Sequence, residues 1–194
     1  MKFCNQCGAE VTGKIPKGDN RLRYVCISCQ EIHYQNPKIV AGCIPEYEGK
    51  VLLCKRAIEP RYGYWTLPAG FMELEETSLE AALRETLEEA NARVGISELY
   101  TVFNLPYVSQ VYMMHRSQLL DLDFSAGEES LEVRLFSEDK IPWDDIAFTT
   151  IKHTLNFYFQ DQRNRNFHLH TGDIIKLNDG SYDFRSGPES GSVE

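Results

Sequence analysis

The sequence predicts an α/β domain preceded by a small metal-stapled unit. Three observations point there. Four of the six cysteines fall within the first 29 residues. β-type apolar runs recur from Lys38 onward, and two longer stretches carry helical rather than alternating periodicity. At 194 residues the chain can build one full domain with a sizeable core and a small appendage, but not two large domains.

Residues 1–34 hold the pairs 'CNQC' (Cys4, Cys7) and 'CISC' (Cys26, Cys29). Between them, 'GAEVTGKIPKGDNRLRY' is too rich in glycine, proline and charge to bury a core alone, so something else must hold this unit. From Lys38, 'KIVAGCIPEY' and 'KVLLCKRA' read as two strands joined through 'EGK', with Gly49 in the turn. 'RYGYWTLPAGF' reads as a loop punctuated by Gly63, Pro68 and Gly70. 'TSLEAALRETLEEA' reads as a helix. Thr77 or Ser78 can cap it, Glu80 suits its first turn, and Leu79, Ala82, Leu83 and Leu87 fall on adjoining turns of one face.

'ELYTVFNL', 'SQVYMMHRSQL' and 'EVRLFSE' then read as strands, and 'AFTTIKHTLNFYFQDQ' as a second helix that ends before the polar 'RNRN'. 'FHLHTGDIIKL' and 'SYDFR' flank 'NDG' as a terminal hairpin, and the polar tail is expected to be disordered. The division expected is a ribbon at 1–34, the main domain at 35–162, a hairpin extension at 163–186 and a tail at 187–194. No internal repeat is present.

A net charge of −9 argues against a general nucleic-acid surface, which needs clustered Lys and Arg. Small anionic substrates stay compatible if a metal bridges the charges. No apolar run approaches the roughly 18 residues of a membrane span, and 'MKFCNQCGAE' has no apolar h-region, so the expected setting is cytoplasmic and reducing.

In that setting, two Cys-x-x-Cys pairs with this separation match a tetrahedral zinc site rather than two disulfides. Four thiolates close the coordination sphere, so Cys4, Cys7, Cys26 and Cys29 would hold a structural Zn2+. Lys14, Lys17, Arg21 and Arg23 give a nucleic-acid role some support, nearly offset by Glu10, Asp19 and the negative zinc-tetrathiolate. Cys43 and Cys54 lie in expected strands and read as small buried thiols.

The stretch 'GFMELEETSLEAALRETLEEAN', Gly70 to Asn91, holds seven glutamates: 73, 75, 76, 80, 85, 88 and 89. Glu85, Glu88 and Glu89 stand at i, i+3 and i+4, so they project from one helical face. Such like charges cost helix stability unless a cation sits among them. A Gly-containing loop, 'LPAG', lies just ahead, and Arg84 can orient neighbouring carboxylates. Carboxylate, carbonyl and water oxygens are what Mg2+ or Mn2+ prefers. Glu73, Glu75 and Glu80 read as solvated.

Gly70, Glu76, 'RE' (Arg84, Glu85) and 'EE' (Glu88, Glu89) at these spacings resemble the Nudix box, the signature of hydrolases that cleave a nucleoside diphosphate linked to another moiety. The resemblance implies a Nudix α/β/α sandwich with a mixed sheet from about residue 38 to 162. It also implies that Glu85, Glu88 and Glu89, with a carbonyl of Ala69 or Gly70, hold Mg2+ or Mn2+ while Arg84 and Glu76 position them. Thr86 and Ala92 stand where the pattern has aliphatic residues, and Asn91 where it has a glycine. Asn tolerates the left-handed cap next best, so the turn is kept.

A Cys4 ribbon followed by 'YQNPKIV' and such a domain is similar to the zinc-ribbon Nudix hydrolases, which include the NADH pyrophosphatases. The 'SQPWPFPxS' stretch that marks the NADH enzymes is absent. 'NLPYVSQVYMMHRSQL' and 'GKVLLCKRAIEPRYGYWTLPAGFMELEE' look more like the plant plastid-type enzymes that hydrolyse FAD and ADP-ribose. Pro106 lies near the place where ADP-ribose pyrophosphatases carry a proline. The expected activity is therefore metal-dependent hydrolysis of FAD or ADP-ribose, with NADH as a rival substrate. A nucleotide-sensing regulatory module with a nucleic-acid-binding ribbon is the rival of another class.

Glu88 or Glu89 is the candidate proton acceptor. Glu129, with Glu128 or Glu132 as substitutes, offers a further ligand or is a solvated loop residue. Arg56 contacts phosphate or forms a surface ion pair. Tyr64, Trp65 and Tyr107 stack on a base or belong to the core. His115, His153, His168 and His170 show no ligand-like spacing. A homodimer is an expectation of the resemblance alone.

Overall fold

The computed structural model describes residues 1–187 and forms two compact units, Met1–Pro37 and Lys38–Glu194. In the first, β1 (Val11–Lys14), β2 (Arg23–Cys26) and β3 (Ile32–His33) make a three-stranded antiparallel sheet. Its buried residues are few, Cys4, Val25, Cys26 and His33, so the ribbon leans on its cysteines as its composition implied.

The second unit is built on nine strands: β4 (Lys38–Tyr47), β5 (Lys50–Arg56), β6 (Trp65–Thr66), β7 (Ala69–Phe71), β8 (Val94–Leu105), β9 (Gln110–Leu119), β10 (Ser130–Phe136), β11 (His170–Lys176) and β12 (Tyr182–Ser186). The order is β10-β5-β4-β9-β8-β11-β12, with β6 on β5 and β7 on β4. β4 runs parallel to β9 and β11 parallel to β8, whereas the other pairs are antiparallel, so the sheet is mixed.

Helices α1 (Ser78–Ala90) and α2 (Thr149–Asn164) cover its two faces. Strand alternation sorts the core between them. Ala41 and Cys43 pack with Ala81 and Ala82 of α1, while Ile44 and Leu53 pack with Ile151, Leu155, Tyr158 and Phe159 of α2. β5 is buried on both faces, which is why 'VLLC' reads as an uninterrupted apolar run. Cys43 and Cys54 are buried thiols whose pKa burial raises.

Several expectations shift. The terminal hairpin forms as β11 and β12 and also joins the main sheet: β11 hydrogen-bonds to β8 and Ile174 shares a core cluster with Phe103 and Leu105. α2 continues two residues into 'RNRN', closed by Arg165 in the left-handed conformation. β8 begins at Val94, four residues before 'ELYTVFNL'. The buried face of α1 is Ala81, Ala82, Thr86, Glu89 and Ala90, and Leu87 is exposed. Small side chains let this helix lie close on β4, and the Thr86 hydroxyl donates to the Ala82 carbonyl at 2.7 Å, so no polar group is stranded. The expected disorder of 187–194 falls, apart from Gly187 on the Thr171 carbonyl, outside the described residues. Among the described residues no helix is long and apolar enough to cross a membrane.

Candidate active site

Thr77 fixes where α1 starts. Its hydroxyl accepts the Glu80 N–H while the Glu80 carboxylate accepts the Thr77 N–H, a reciprocal capping box, so Glu80 is a structural residue rather than a merely solvated one. With the start fixed, Arg84, Glu85, Glu88 and Glu89 emerge toward the loop ahead of the helix.

Arg84 is the hub. Nε and Nη2 donate to the two oxygens of Glu76 at 3.1 and 2.8 Å, Nη1 donates to Glu85 at 2.7 Å and to Glu88 at 3.1 Å, and Nη2 reaches the Phe71 carbonyl at 3.3 Å. A planar fork is suited to such a set, and its carboxylates raise the guanidinium pKa, with Glu76 the main cause. Glu76 is held low in turn by Arg84 and by the Glu73 N–H.

Glu89 points into the fold and accepts the Ala69 N–H at 3.2 Å. Burial pushes its carboxyl up to about 8, opposed by that N–H and reinforced by the nearby charge of Glu85. Burial also raises Glu85, against the pull of Arg84. Gly70 leaves a cradle at this point: a Cβ there would collide with the Glu85 carboxylate.

The C-terminal end of α1 brings in a second loop. Asn91 caps it with φ 47° and ψ 25°, and its amide nitrogen donates to the Ser125 carbonyl at 3.2 Å. Gly127 N–H reaches the Glu89 carbonyl at 3.0 Å, and a Cβ on Gly127 would strike the Glu88 carbonyl. The loop then crosses to the end of β5, where Ala57 N–H donates to the Glu129 carbonyl at 2.8 Å. Glu128 and Glu129 thereby face the helix glutamates across one cleft of about 1020 Å³.

The cleft is lined at one end by Ala69, Gly70, Arg84, Glu85, Glu88 and Glu89, and elsewhere by Arg56, Phe148, Tyr107, Tyr112 and Tyr182. Arg56 lies over the Phe148 ring at 5.1 Å and donates to the Pro60 carbonyl at 2.9 Å rather than to a surface carboxylate. Tyr107 and Tyr182 pack against each other with ring centres 5.4 Å apart and planes tilted by 53°.

Trp65 does not belong here: it is buried edge-on against Phe136 at 4.9 Å, because the short β6 turns it into the core under α2. Tyr64 also lies outside the lining, and Glu132 points along β10 to Arg134. Sequence reasoning missed Tyr182, Tyr112 and Phe148, which come from three separate segments. Only the aromatic content of 'SYDFR', 'SQVYMMHRSQL' and 'AFTT' hinted at them.

The donor chemistry fits a divalent cation. Glu85 and Glu89 are partly desolvated carboxyls with Glu129 nearby, an all-oxygen set of the kind Mg2+ or Mn2+ takes. The three helix carboxylates are not gathered into one set within 4.8 Å, because Arg84 draws on both Glu85 and Glu88. In the ribbon the four sulfurs do come together, at 3.4 to 3.7 Å for Cys7–Cys26, Cys7–Cys29 and Cys4–Cys29. That spacing is what tetrahedral Zn–S bonds of about 2.3 Å produce.

A family model described as NUDIX domain matches residues 36–155. The chain belongs to the Nudix family. A second model, described as Nudix N-terminal and named for a zinc ribbon, matches residues 2–35. A crystal structure of a NUDIX hydrolase from Nitrosomonas europaea is 60% identical, with TM-score 0.85 over 89% of this chain and 99% of that one. An ADP-ribose pyrophosphatase of Methanocaldococcus jannaschii is 29% identical over 116 residues, 56% of this chain and 67% of its own. An NAD-capped RNA hydrolase NudC of Vibrio vulnificus is 31% identical over 153 residues, 73% of this chain and 53% of its own. This Nudix chain thus spans about half the length of the NudC relative.

Proposed function

We propose that this Nudix chain hydrolyses the diphosphate bond of a nucleoside diphosphate derivative, with ADP-ribose the first substrate and FAD the second. The observation that carries this reading is the single cleft that joins the Arg84–glutamate cluster to the packed rings of Tyr107 and Tyr182. A diphosphate flanked by an aromatic base and a sugar needs both ends. The relative named ADP-ribose pyrophosphatase supports the first substrate. The resemblance of 'NLPYVSQVYMMHRSQL' to the plant plastid-type enzymes supports the second.

Glu85, Glu88 and Glu89, with Glu129 and a carbonyl of Ala69 or Gly70, would hold Mg2+ or Mn2+. The cation would neutralise the diphosphate and lower the pKa of the attacking water. Arg84 and Glu76 keep the carboxylates aimed, and Arg56 lies at the cleft wall where it can meet a phosphate oxygen. Glu89, or Glu88 beside it, is the candidate proton acceptor once a bound cation keeps the carboxylate ionised. Water adds to one phosphorus as the bridging oxygen leaves with the other, giving AMP and ribose 5-phosphate from ADP-ribose or AMP and FMN from FAD.

NAD-type substrates are the second reading, favoured by the NudC relatives. A panel of ADP-ribose, FAD, NADH and NAD-capped RNA with Mg2+ or Mn2+, scored by AMP or capped-end release, decides between them. ADP-ribose or FAD as best substrate is the expected result. NADH or capped RNA as the clear best overturns the substrate choice, and no metal-dependent turnover on any overturns the reading.

A further inference from the structure

A second cluster of metal-ligating side chains lies at the C-terminal end of α2, away from the cleft. Asp161 sits in the last turn of the helix and is 3% exposed. His168 and His170 follow in the segment that enters β11. Asp161 Oδ2 lies 2.8 Å from His170 Nε2 and 3.6 Å from His168 Nδ1, and the three donor atoms all fall within 4.8 Å of one another. A tetrahedral ion with bonds of about 2.0–2.2 Å holds its ligands roughly 3.3–3.5 Å apart, and the two measured separations bracket that range.

The cluster is also preorganised. His170 stacks on Phe157 at 4.2 Å and meets the edge of Tyr100 at 5.2 Å, so its ring is fixed. The Tyr100 hydroxyl donates to the same oxygen, Asp161 Oδ2, at 2.9 Å and so fixes the orientation of the carboxylate. His168 is largely exposed and gives an ion a route in from solvent. None of the three lines the catalytic cleft. His170 pairs with Thr101, whereas Leu105, at the far end of β8, is the cleft residue.

We infer that Asp161, His168 and His170 form a two-histidine, one-carboxylate site for a divalent transition cation of the zinc class, distinct from the four-cysteine and glutamate sites. Two imidazoles select zinc, cobalt or nickel over magnesium. The ion ties the end of α2 to the start of β11 and so braces the hairpin that carries Tyr182.

The test is zinc stoichiometry on the full chain without a histidine tag, by equilibrium dialysis and elemental analysis, with millimolar Mg2+ present to hold the glutamate site. Two zinc ions per chain are expected for the wild type and one for His168→Ala, with binding of the second ion at least tenfold weaker. His168 is exposed, so this variant keeps its fold, and His170→Ala gives an independent reading. One zinc per chain in the wild type, or two in His168→Ala, overturns the site and leaves the cluster as an internal hydrogen-bonded group.

Discussion

Arg84 grips Glu76 with two donors, Nε on Oε2 at 3.1 Å and Nη2 on Oε1 at 2.8 Å, while its remaining nitrogen bonds Glu85 and Glu88. A lysine ammonium is a point charge that cannot span these positions at once. Arg84→Lys is therefore expected to raise the Mg2+ concentration for half-maximal turnover by about 10- to 100-fold, the usual cost of losing a partner that orients metal ligands. Titration of activity with Mg2+ checks it. An unchanged midpoint would show that Arg84 does not position the ligands.

Glu89→Gln should lower turnover by about 10²-fold or more, the range of a lost proton acceptor. The amide oxygen can still accept the Ala69 N–H, so β7 stays docked and circular dichroism should be unchanged. Native kinetics in this variant would refute both roles given to Glu89.

Two glycines separate chemistry from stability. The atoms nearest a Cβ on Gly70 belong to the end of the Glu85 side chain, so Gly70→Ala should displace that carboxylate and cost activity while leaving the melt close to wild type. A Cβ on Gly127 meets the backbone carbonyl of Glu88, which cannot swing aside. Gly127→Ala should therefore destabilise the chain by about 1–3 kcal/mol, as overpacking does, and detach the loop that carries Glu129. Thermal melts of the two variants side by side test the distinction.

The ribbon, the β4–β5 pair and the glutamate-bearing helix were legible because each is specified locally: by Cys-x-x-Cys spacing, by apolar runs around 'EGK' and by a capped helical pattern; β6 and β7, too short to show a period, lay inside a stretch that read as a loop. The cleft wall was not. Tyr182 reaches Tyr107 only because β11 adds parallel to β8, a long-range pairing that no local pattern encodes. Trp65 misled for the complementary reason: an aromatic in a loop beside the signature looks like a platform until burial places it. The Asp161–His170 pair spans a helix end and a strand start, so its spacing of nine residues matches no helical or strand period.

Tyr182 lines the cleft beside Tyr107, so Tyr182→Ala should raise KM for ADP-ribose by about three- to tenfold, the worth of one aromatic pair, with kcat little changed. A fall in kcat at constant KM would place the ring's effect at the reacting phosphates instead.

His115 is expected to add acid sensitivity to the fold. It lies in β9 between β4 and β8, 5% exposed, with neither ring nitrogen hydrogen-bonded to any described residue. Burial lowers its pKa from the ordinary 6.5, so below that pH the unfolded chain binds a proton that the folded chain resists. The stability associated with neutral His115 is fully present above about pH 6.5 and is lost as pH falls toward the folded-state pKa. His115→Leu, similar in volume and unable to titrate, should lose less stability than wild type between pH 7.5 and pH 5. It should also be neutral or stabilising at pH 7.5, because two buried polar atoms without partners are removed. Urea melts at the two pH values decide it: equal acid losses in both chains would show that the acid sensitivity arises elsewhere.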